Sequence, residues 1–96
     1  MPKFEYVSLG LRCPPDESTM VELADEIVRA RAKFPGSRFL LAALTEEVGE
    51  LARAILQRKT GDEIKREAIQ VACVALRIYE EGDSAFDGLT DEESKP

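Results

Sequence analysis

Two groups of glutamates in apolar helical surroundings are the residues of this sequence best suited to do chemistry. Glu47 and Glu50 lie in the run Leu-Thr-Glu-Glu-Val-Gly-Glu-Leu, residues 44–51, and Glu67 lies in Glu-Ala-Ile-Gln-Val, residues 67–71. Because each helical residue turns the chain by about 100°, Glu47 and Glu67 emerge among the leucines, isoleucines and valines of their helices. A buried carboxylate without a partner is costly. The pattern therefore predicts a bound cation, with an ion pair to lysine or arginine as the alternative.

The residue types narrow the choice of cation. The chain has no histidine and only two cysteines, Cys13 and Cys73, which excludes the Glu-x-x-His pattern of di-iron bundles and the ligand spacing of zinc sites. Carboxylates together with the amide of Gln70 form an all-oxygen set of the kind that binds Mg²⁺, Mn²⁺ or Ca²⁺. Cys73 has no histidine to activate it as a nucleophile, and it is predicted to be a small core residue.

The two acidic motifs resemble the signature of a known family. Glu46-Glu47-x-x-Glu50, followed by Glu67-x-x-Gln70 on the next helix, is similar to the E-E-x-x-E and E-x-x-D motifs of the MazG-like all-α nucleoside triphosphate pyrophosphohydrolases. The sequence departs from that pattern at one ligand, since the family has aspartate where this chain has Gln70. An amide oxygen can coordinate Mg²⁺, but it brings no charge.

The resemblance covers about residues 18–80, and residues 40–52 match the family closely. It implies a helical bundle that hydrolyses a nucleoside triphosphate to the monophosphate and pyrophosphate. Such a reaction can remove unwanted nucleotides from the cellular pool. The resemblance also implies Mg²⁺, with Mn²⁺ as a substitute, held by Glu47, Glu50, Glu67 and Gln70. The related hydrolysis of phosphoribosyl-ATP is disfavoured, because those enzymes carry a histidine after the second motif and this chain has none.

Three further residues are candidates for the site. Glu46 projects about 100° away from Glu47 and is either a surface residue or a catalytic base that reaches the attacking water. Arg77 lies seven residues beyond Gln70 on the same strip of its helix and is a candidate for binding substrate phosphate, although a salt bridge to an acidic residue is the favoured interpretation. Arg38, in the turn before the second helix, is a similar candidate.

Three helices must position these residues. They are expected from Ser18 or Thr19 to a break at residues 33–38, from about Phe39 to Lys59, and from a cap at Asp62 to about Glu81. The expected end signals are a Thr19/Glu22 capping box, a Ser37 cap on the second helix and a closing Gly61. The short second connection predicts an antiparallel hairpin. Its two acidic clusters are out of register by only about 6 Å, so they can face one another.

The surroundings of the site are also predicted. The first helix is expected to be a wall of the bundle whose solvent face includes Glu22, Asp25, Glu26 and Arg29. Phe34 is expected to be a core residue or loop anchor, with base stacking as the alternative. Residues 68–76 leave almost no polar face on the third helix, and a helix that is apolar all round is buried all round. The fold class is therefore an all-α bundle of three helices completed by a second copy, in a homodimer or tetramer.

Length and charge limit what else the chain can be. Its 96 residues are expected to form one domain, with an extended arm at 1–17, a helical core at 18–82 and an acidic tail at 83–96 that includes a short packed turn. The net charge of −6 argues against nucleic acid as a partner. Lone cysteines, the absence of a signal peptide and the absence of a long apolar run favour a cytoplasmic protein that does not cross a membrane.

Two functions without catalysis are alternatives to the enzyme. The chain is then either a helical assembly module that has lost catalysis, with Gln70 as the mark of that loss, or a metal-binding regulatory subunit.

Overall fold

The computed structural model describes residues 15–86, and all regular secondary structure within them is helical. The elements are α1 (Glu17–Lys33), α2 (Leu40–Leu56), α3 (Gly61–Glu81) and a short 3₁₀ helix (Ser84–Phe86). The all-α class is confirmed. Most of the predicted arm, residues 1–14, and most of the predicted acidic tail, residues 87–96, lie outside the described part of the chain.

The third helix is the centre of the arrangement. α3 packs against both α2 and α1, whereas α1 and α2 do not pack against each other. A connection of residues 57–60 joins α2 to α3, and two packed helices joined by so short a turn run antiparallel. The gap between α1 and α2 leaves a cleft whose floor is α3.

The end of α2 differs from its prediction. The helix ends at Leu56 instead of Lys59, and the residue with positive φ in the connection is Arg58, at 55°. Gly61, which was expected to close α2, is the first residue of α3. The prediction was wrong because glycine is favoured at a left-handed helix end but is not required there.

The cap of α3 is Thr60, and the prediction of Asp62 was wrong. The Thr60 hydroxyl accepts a hydrogen bond from the backbone N–H of Glu63 at 3.2 Å. Asp62 and Glu63 also place negative charge in the first turn, where the helix dipole favours it. Thr60-x-x-Glu63 has the spacing of a capping box, so this signal was present in the sequence.

The predicted caps of α1 and α2 were wrong as well. α1 begins at Glu17 after Asp16, without a side-chain cap, so Thr19 and Glu22 lie inside the helix. α2 begins after Phe39, whose backbone is left-handed with φ 67° and ψ 27°, and Ser37 does not cap it. Thr19 and Ser37 are residue types that can cap a helix. Neither of them lies immediately before the helix that it was predicted to cap.

Asp83 caps α2 from beyond the end of α3. Its carboxylate accepts hydrogen bonds from the backbone N–H groups of Phe39 and Leu41, both at 2.8 Å, and from that of Ala85 at 2.9 Å. These bonds, led by the one from Leu41, lower the pKa of Asp83. The start of α2 is thereby fixed to the segment that follows α3, which continues as the 3₁₀ helix. The packed turn predicted for Ala85, Phe86 and Leu89 lies partly outside the described residues, and Phe86 is exposed.

The core of the described chain is small. Its buried hydrophobic residues are Ile27, Leu40, Ala54 and Cys73, and Cys73 is 0% exposed. Burial raises the pKa of the Cys73 thiol, as suits the predicted core residue. No helix within residues 15–86 is both long and apolar enough to span a bilayer.

Candidate metal centre and adjoining cavities

Three carboxylates converge where α2 faces α3. Glu47, Glu50 and Glu67 each offer one oxygen, and these oxygens lie within 4.8 Å of one another. Glu47 and Glu50 are three residues apart and so share one face of α2, while α3 supplies Glu67. The predicted meeting of the two acidic motifs is present in the structure, and all three residues are half-buried.

Glu47 has no partner for one of its charged atoms. Its Oε2 is buried and has no hydrogen bond to any group in the described chain. Burial raises the pKa of Glu47, and the neighbouring charges of Glu50, Glu67 and Glu46 raise it further. None of the four salt bridges within residues 15–86 involves the three clustered carboxylates. The negative charge of the cluster is therefore not paired in any salt bridge of the described residues.

The donor set fits a hard divalent cation. Opposite oxygens around an octahedral Mg²⁺ lie about 4.2 Å apart, and they lie farther apart around Ca²⁺. The oxygens of the cluster lie within 4.8 Å of one another, which is close to these separations. Zinc and iron sites normally use histidine or cysteine, and neither is in the cluster.

Gln70 bonds to a residue that sequence reasoning missed. Its amide nitrogen donates to Glu26 Oε1 at 2.8 Å, which joins α3 to α1. A second Glu26 oxygen accepts from Arg29 at 2.6 Å. The bond from Gln70, followed by those from Arg29, lowers the pKa of Glu26. Since a carboxylate only accepts hydrogen bonds, Gln70 must present its NH₂ group to Glu26, and its carbonyl oxygen is left for another partner.

The expectation that Glu26 faces water was wrong. Its side chain is only 18% exposed, because α3 lies against this face of α1. Glu26 lies at the border of the apolar stripe of Leu23, Ile27 and Ala30, closer to it than the exposed Glu22 and Asp25. The packing of two helices far apart in sequence decides its role.

Arg77 has a full set of partners. It is 3% exposed, and its guanidinium donates to Glu81 at 3.1 and 3.2 Å and to the carbonyl oxygens of Phe34 at 3.2 Å and Gly36 at 2.7 Å. The salt bridge that the sequence favoured for Arg77 over a phosphate contact is present. These contacts hold the loop after α1 against α3.

A cavity of about 630 Å³ fills the cleft between α1 and α2. Its lining includes the apolar residues Leu40, Ala43, Cys73 and Val74, and the polar residues Glu26, Glu46, Glu47 and Gln70. Such a volume is typical of pockets for small molecules. The cavity thus reaches from an apolar wall to the edge of the carboxylate cluster.

The loop between α1 and α2 gives this cavity an aromatic and cationic rim. Phe34 and Phe39 both line it. Lys33 lies 5.3 Å from the centre of the Phe34 ring, and Arg38 lies 4.7 Å from that of Phe39. Phe34 is 63% exposed, so of the two predicted roles, core residue or loop anchor, the core role was wrong. Arg38 and Glu46 are exposed and line the cavity, as candidates for substrate contact must.

A second cavity, of about 380 Å³, lies on the other side of the cluster. It is lined by Glu50, Arg53, Ala54, Gln57, Lys59, Glu63, Arg66 and Glu67. Glu47 lines the first cavity, whereas Glu50 and Glu67 line the second. The carboxylate cluster therefore stands between two cavities of different chemical character.

Comparisons of the chain with models of protein families, with curated proteins and with solved structures give no match. The resemblance to the MazG-like enzymes stays a prediction that depends on the two motifs.

Proposed function

We propose that this protein is a Mg²⁺-dependent nucleoside triphosphate pyrophosphohydrolase of the MazG-like kind. The observation that carries the proposal is the buried, unpartnered oxygen of Glu47 in a three-carboxylate cluster at the edge of a cavity large enough for a nucleoside. A charge left in this way destabilises the fold unless a proton or a ligand neutralises it. A cation that also binds the phosphates of a substrate meets that requirement.

Glu47, Glu50 and Glu67 are the residues proposed to hold the cation. Mg²⁺ bound there would supply positive charge to the phosphates and make an attacking water more acidic. The amide nitrogen of Gln70 is held by Glu26, and its neutral carbonyl oxygen is proposed as a further ligand of the cation. Mn²⁺ prefers the same kind of oxygen donor and is the expected substitute.

Glu46 is proposed as the general base. It is exposed and lines the cavity beside Glu47, where a carboxylate can accept the proton of a water. The oxygen of that water forms a bond to the α-phosphorus, and the bond from this phosphorus to the bridging oxygen of the β-phosphate breaks. Pyrophosphate leaves with the electron pair, and the nucleoside monophosphate remains.

The proposed assembly is a homodimer or tetramer. Leu41, Val48 and Ile55 are exposed at seven-residue intervals along α2, the spacing of a helix–helix seam. A small domain with so few buried hydrophobic residues often depends on a second copy for its stability. Sedimentation at micromolar concentration tests this part of the proposal, which a stable, well-folded monomer would contradict.

The activity is tested by measuring pyrophosphate release from the common NTPs and dNTPs with Mg²⁺ or Mn²⁺. Glu47→Gln and Glu67→Gln should abolish release, whereas Glu22→Gln, on the exposed face of α1, should leave it unchanged. An assembly module without catalysis is the second candidate, because the amide of Gln70 is held by Glu26 and adds no charge to the cluster. A wild type that assembles but releases no pyrophosphate from any triphosphate would favour that candidate.

A further inference from the structure

The position of the carboxylate cluster between two cavities defines a direction for the substrate. A nucleoside triphosphate has an apolar, aromatic end and a strongly charged end. The cavity beside Glu47 has apolar walls and two phenylalanines at its rim, which suit a base and a sugar. In the cavity beside Glu50 and Glu67, every lining residue except Ala54 is polar or charged, which suits phosphate.

We propose that this second cavity is a subsite for the terminal diphosphate of the substrate and for the pyrophosphate product, held by Arg53, Arg66 and Lys59. The inference rests on the proposed function, and it adds the direction in which the substrate lies and the residues that bind the leaving group. Neither the acidic motifs nor the family resemblance names these three cations.

The three cations lie closer than Glu50 and Glu67 to the connection between α2 and α3. Arg53 is three residues beyond Glu50 on α2, and Arg66 is the neighbour of Glu67 on α3. Lys59 lies in the connection between the two helices. One helical turn advances about 5.4 Å, so the step from the carboxylates to the cations is within the reach of a phosphate chain.

The charges of this cavity suit a bound phosphate. Its lining has three glutamates and three cations, and the three cations take no part in the salt bridges formed within residues 15–86. When Glu50 and Glu67 bind a divalent cation, their charge is neutralised by it. The arginines and the lysine then keep their charge for the ligand, and arginine suits the paired oxygens of a phosphate.

The basic residues of the first cavity are placed differently. Arg77 is held by Glu81 and two backbone carbonyls, and Arg29 is paired with Glu26. Lys33 and Arg38 lie against phenylalanine rings. These cations are therefore engaged at the nucleoside end, whereas those of the second cavity are available to the diphosphate.

The test compares Arg53→Gln and Arg66→Gln with the matched control Lys65→Gln. Lys65 is exposed, is adjacent to Arg66, and lines neither cavity. Its replacement by glutamine changes the net charge by the same amount as each arginine variant without removing a cation from the second cavity. Each arginine variant should weaken inhibition by magnesium pyrophosphate about tenfold, the size expected for a lost charge-assisted hydrogen bond. Each should raise KM for the triphosphate by a similar factor and leave inhibition by the nucleoside monophosphate unchanged. Melting curves confirm that all three variants fold.

Unchanged pyrophosphate inhibition in both arginine variants, or equal weakening in the Lys65 variant, would overturn the subsite. If the wild type hydrolyses no triphosphate, the proposed function fails on its own. Calorimetric titration of the protein with magnesium pyrophosphate then decides the subsite separately. Binding that Arg66→Gln weakens and Lys65→Gln does not supports the subsite, and a wild type that binds no pyrophosphate overturns it.

Discussion

Arg77 is buried and Glu47 is half-buried with one fully buried oxygen, and the two charged side chains line the same cavity with opposite hydrogen bonding. Arg77 has four hydrogen bonds, to Glu81 and to two backbone carbonyls. Glu47 has a buried oxygen with no bond at all within the described chain. A buried charge with a full set of partners holds a fold together. A buried charge without partners costs stability, and such a cost is typical of a functional site.

Removing Arg77 should have the largest effect on stability. Arg77→Met leaves Glu81 and two carbonyl groups without their donor, and breaking a buried charged network in this way costs about 3–5 kcal/mol. Urea unfolding measures the loss. Arg29→Met is the control, because Arg29 forms an ion pair but is exposed, and it should change the midpoint far less. Equal losses of unfolding free energy in the two variants would mean that the buried hydrogen bonds of Arg77 stabilise the fold no more than an exposed ion pair does.

Adding a cation should stabilise the fold through Glu47. A ligand that binds only the folded state contributes about 2.7 kcal/mol at a hundred times its Kd, so Mg²⁺ or Mn²⁺ at millimolar concentration should raise Tm. Glu47→Gln and Glu67→Gln should remove this response and increase stability without metal, because each relieves repulsion within the cluster. A wild-type melting curve that metal leaves unchanged would show that the cluster is not a metal site.

Replacing Gln70 by aspartate should act in two directions. Without metal, Gln70→Asp loses the bond to Glu26 and places two carboxylates side by side, which should cost about 1–3 kcal/mol. With metal, the added charge should tighten Mn²⁺ binding, since Coulomb attraction is strong in a partly desolvated site. Thermal melts and calorimetric titration of both proteins measure the two effects. Unchanged Mn²⁺ binding would mean that Gln70 does not act on the cluster, and unchanged metal-free stability would mean that its bond to Glu26 contributes little.

The smallest effect is expected at Asp83, and it should depend on pH. The pKa of Asp83 is lowered in the folded protein, from an ordinary value of 3.8, by backbone hydrogen bonds at the start of α2. Its contribution to stability is therefore present above pH 3.8 and is lost as the pH falls through the lowered pKa. Asp83→Asn should lower Tm at neutral pH, and its difference from the wild type should shrink in acid. A difference that stays constant with pH would mean that the charge of Asp83 does not matter.

The sequence determined the helices and the meeting of the acidic motifs. Both depend on local rules, namely the helical period and the shortness of the connection at residues 57–60. From these rules alone Glu47, Glu50 and Glu67 were expected on facing surfaces, and the structure brings their oxygens within 4.8 Å of one another. The helix ends were predicted less well, since the signals at Thr19, Ser37 and Gly61 compete with others nearby.

The tertiary structure alone decided which partner each long side chain takes. Gln70 and Glu26 are 44 residues apart, as are Asp83 and Phe39, and Arg77 reaches a carbonyl 41 residues away. Helical periodicity gives the face on which a side chain emerges, but a hydrogen bond depends on distances of a few tenths of an ångström. Those distances are set only when α3 packs against α1 and α2. The burial of Arg77 and Glu26, and the orphaned oxygen of Glu47, are therefore properties of the packed structure and not of any one segment.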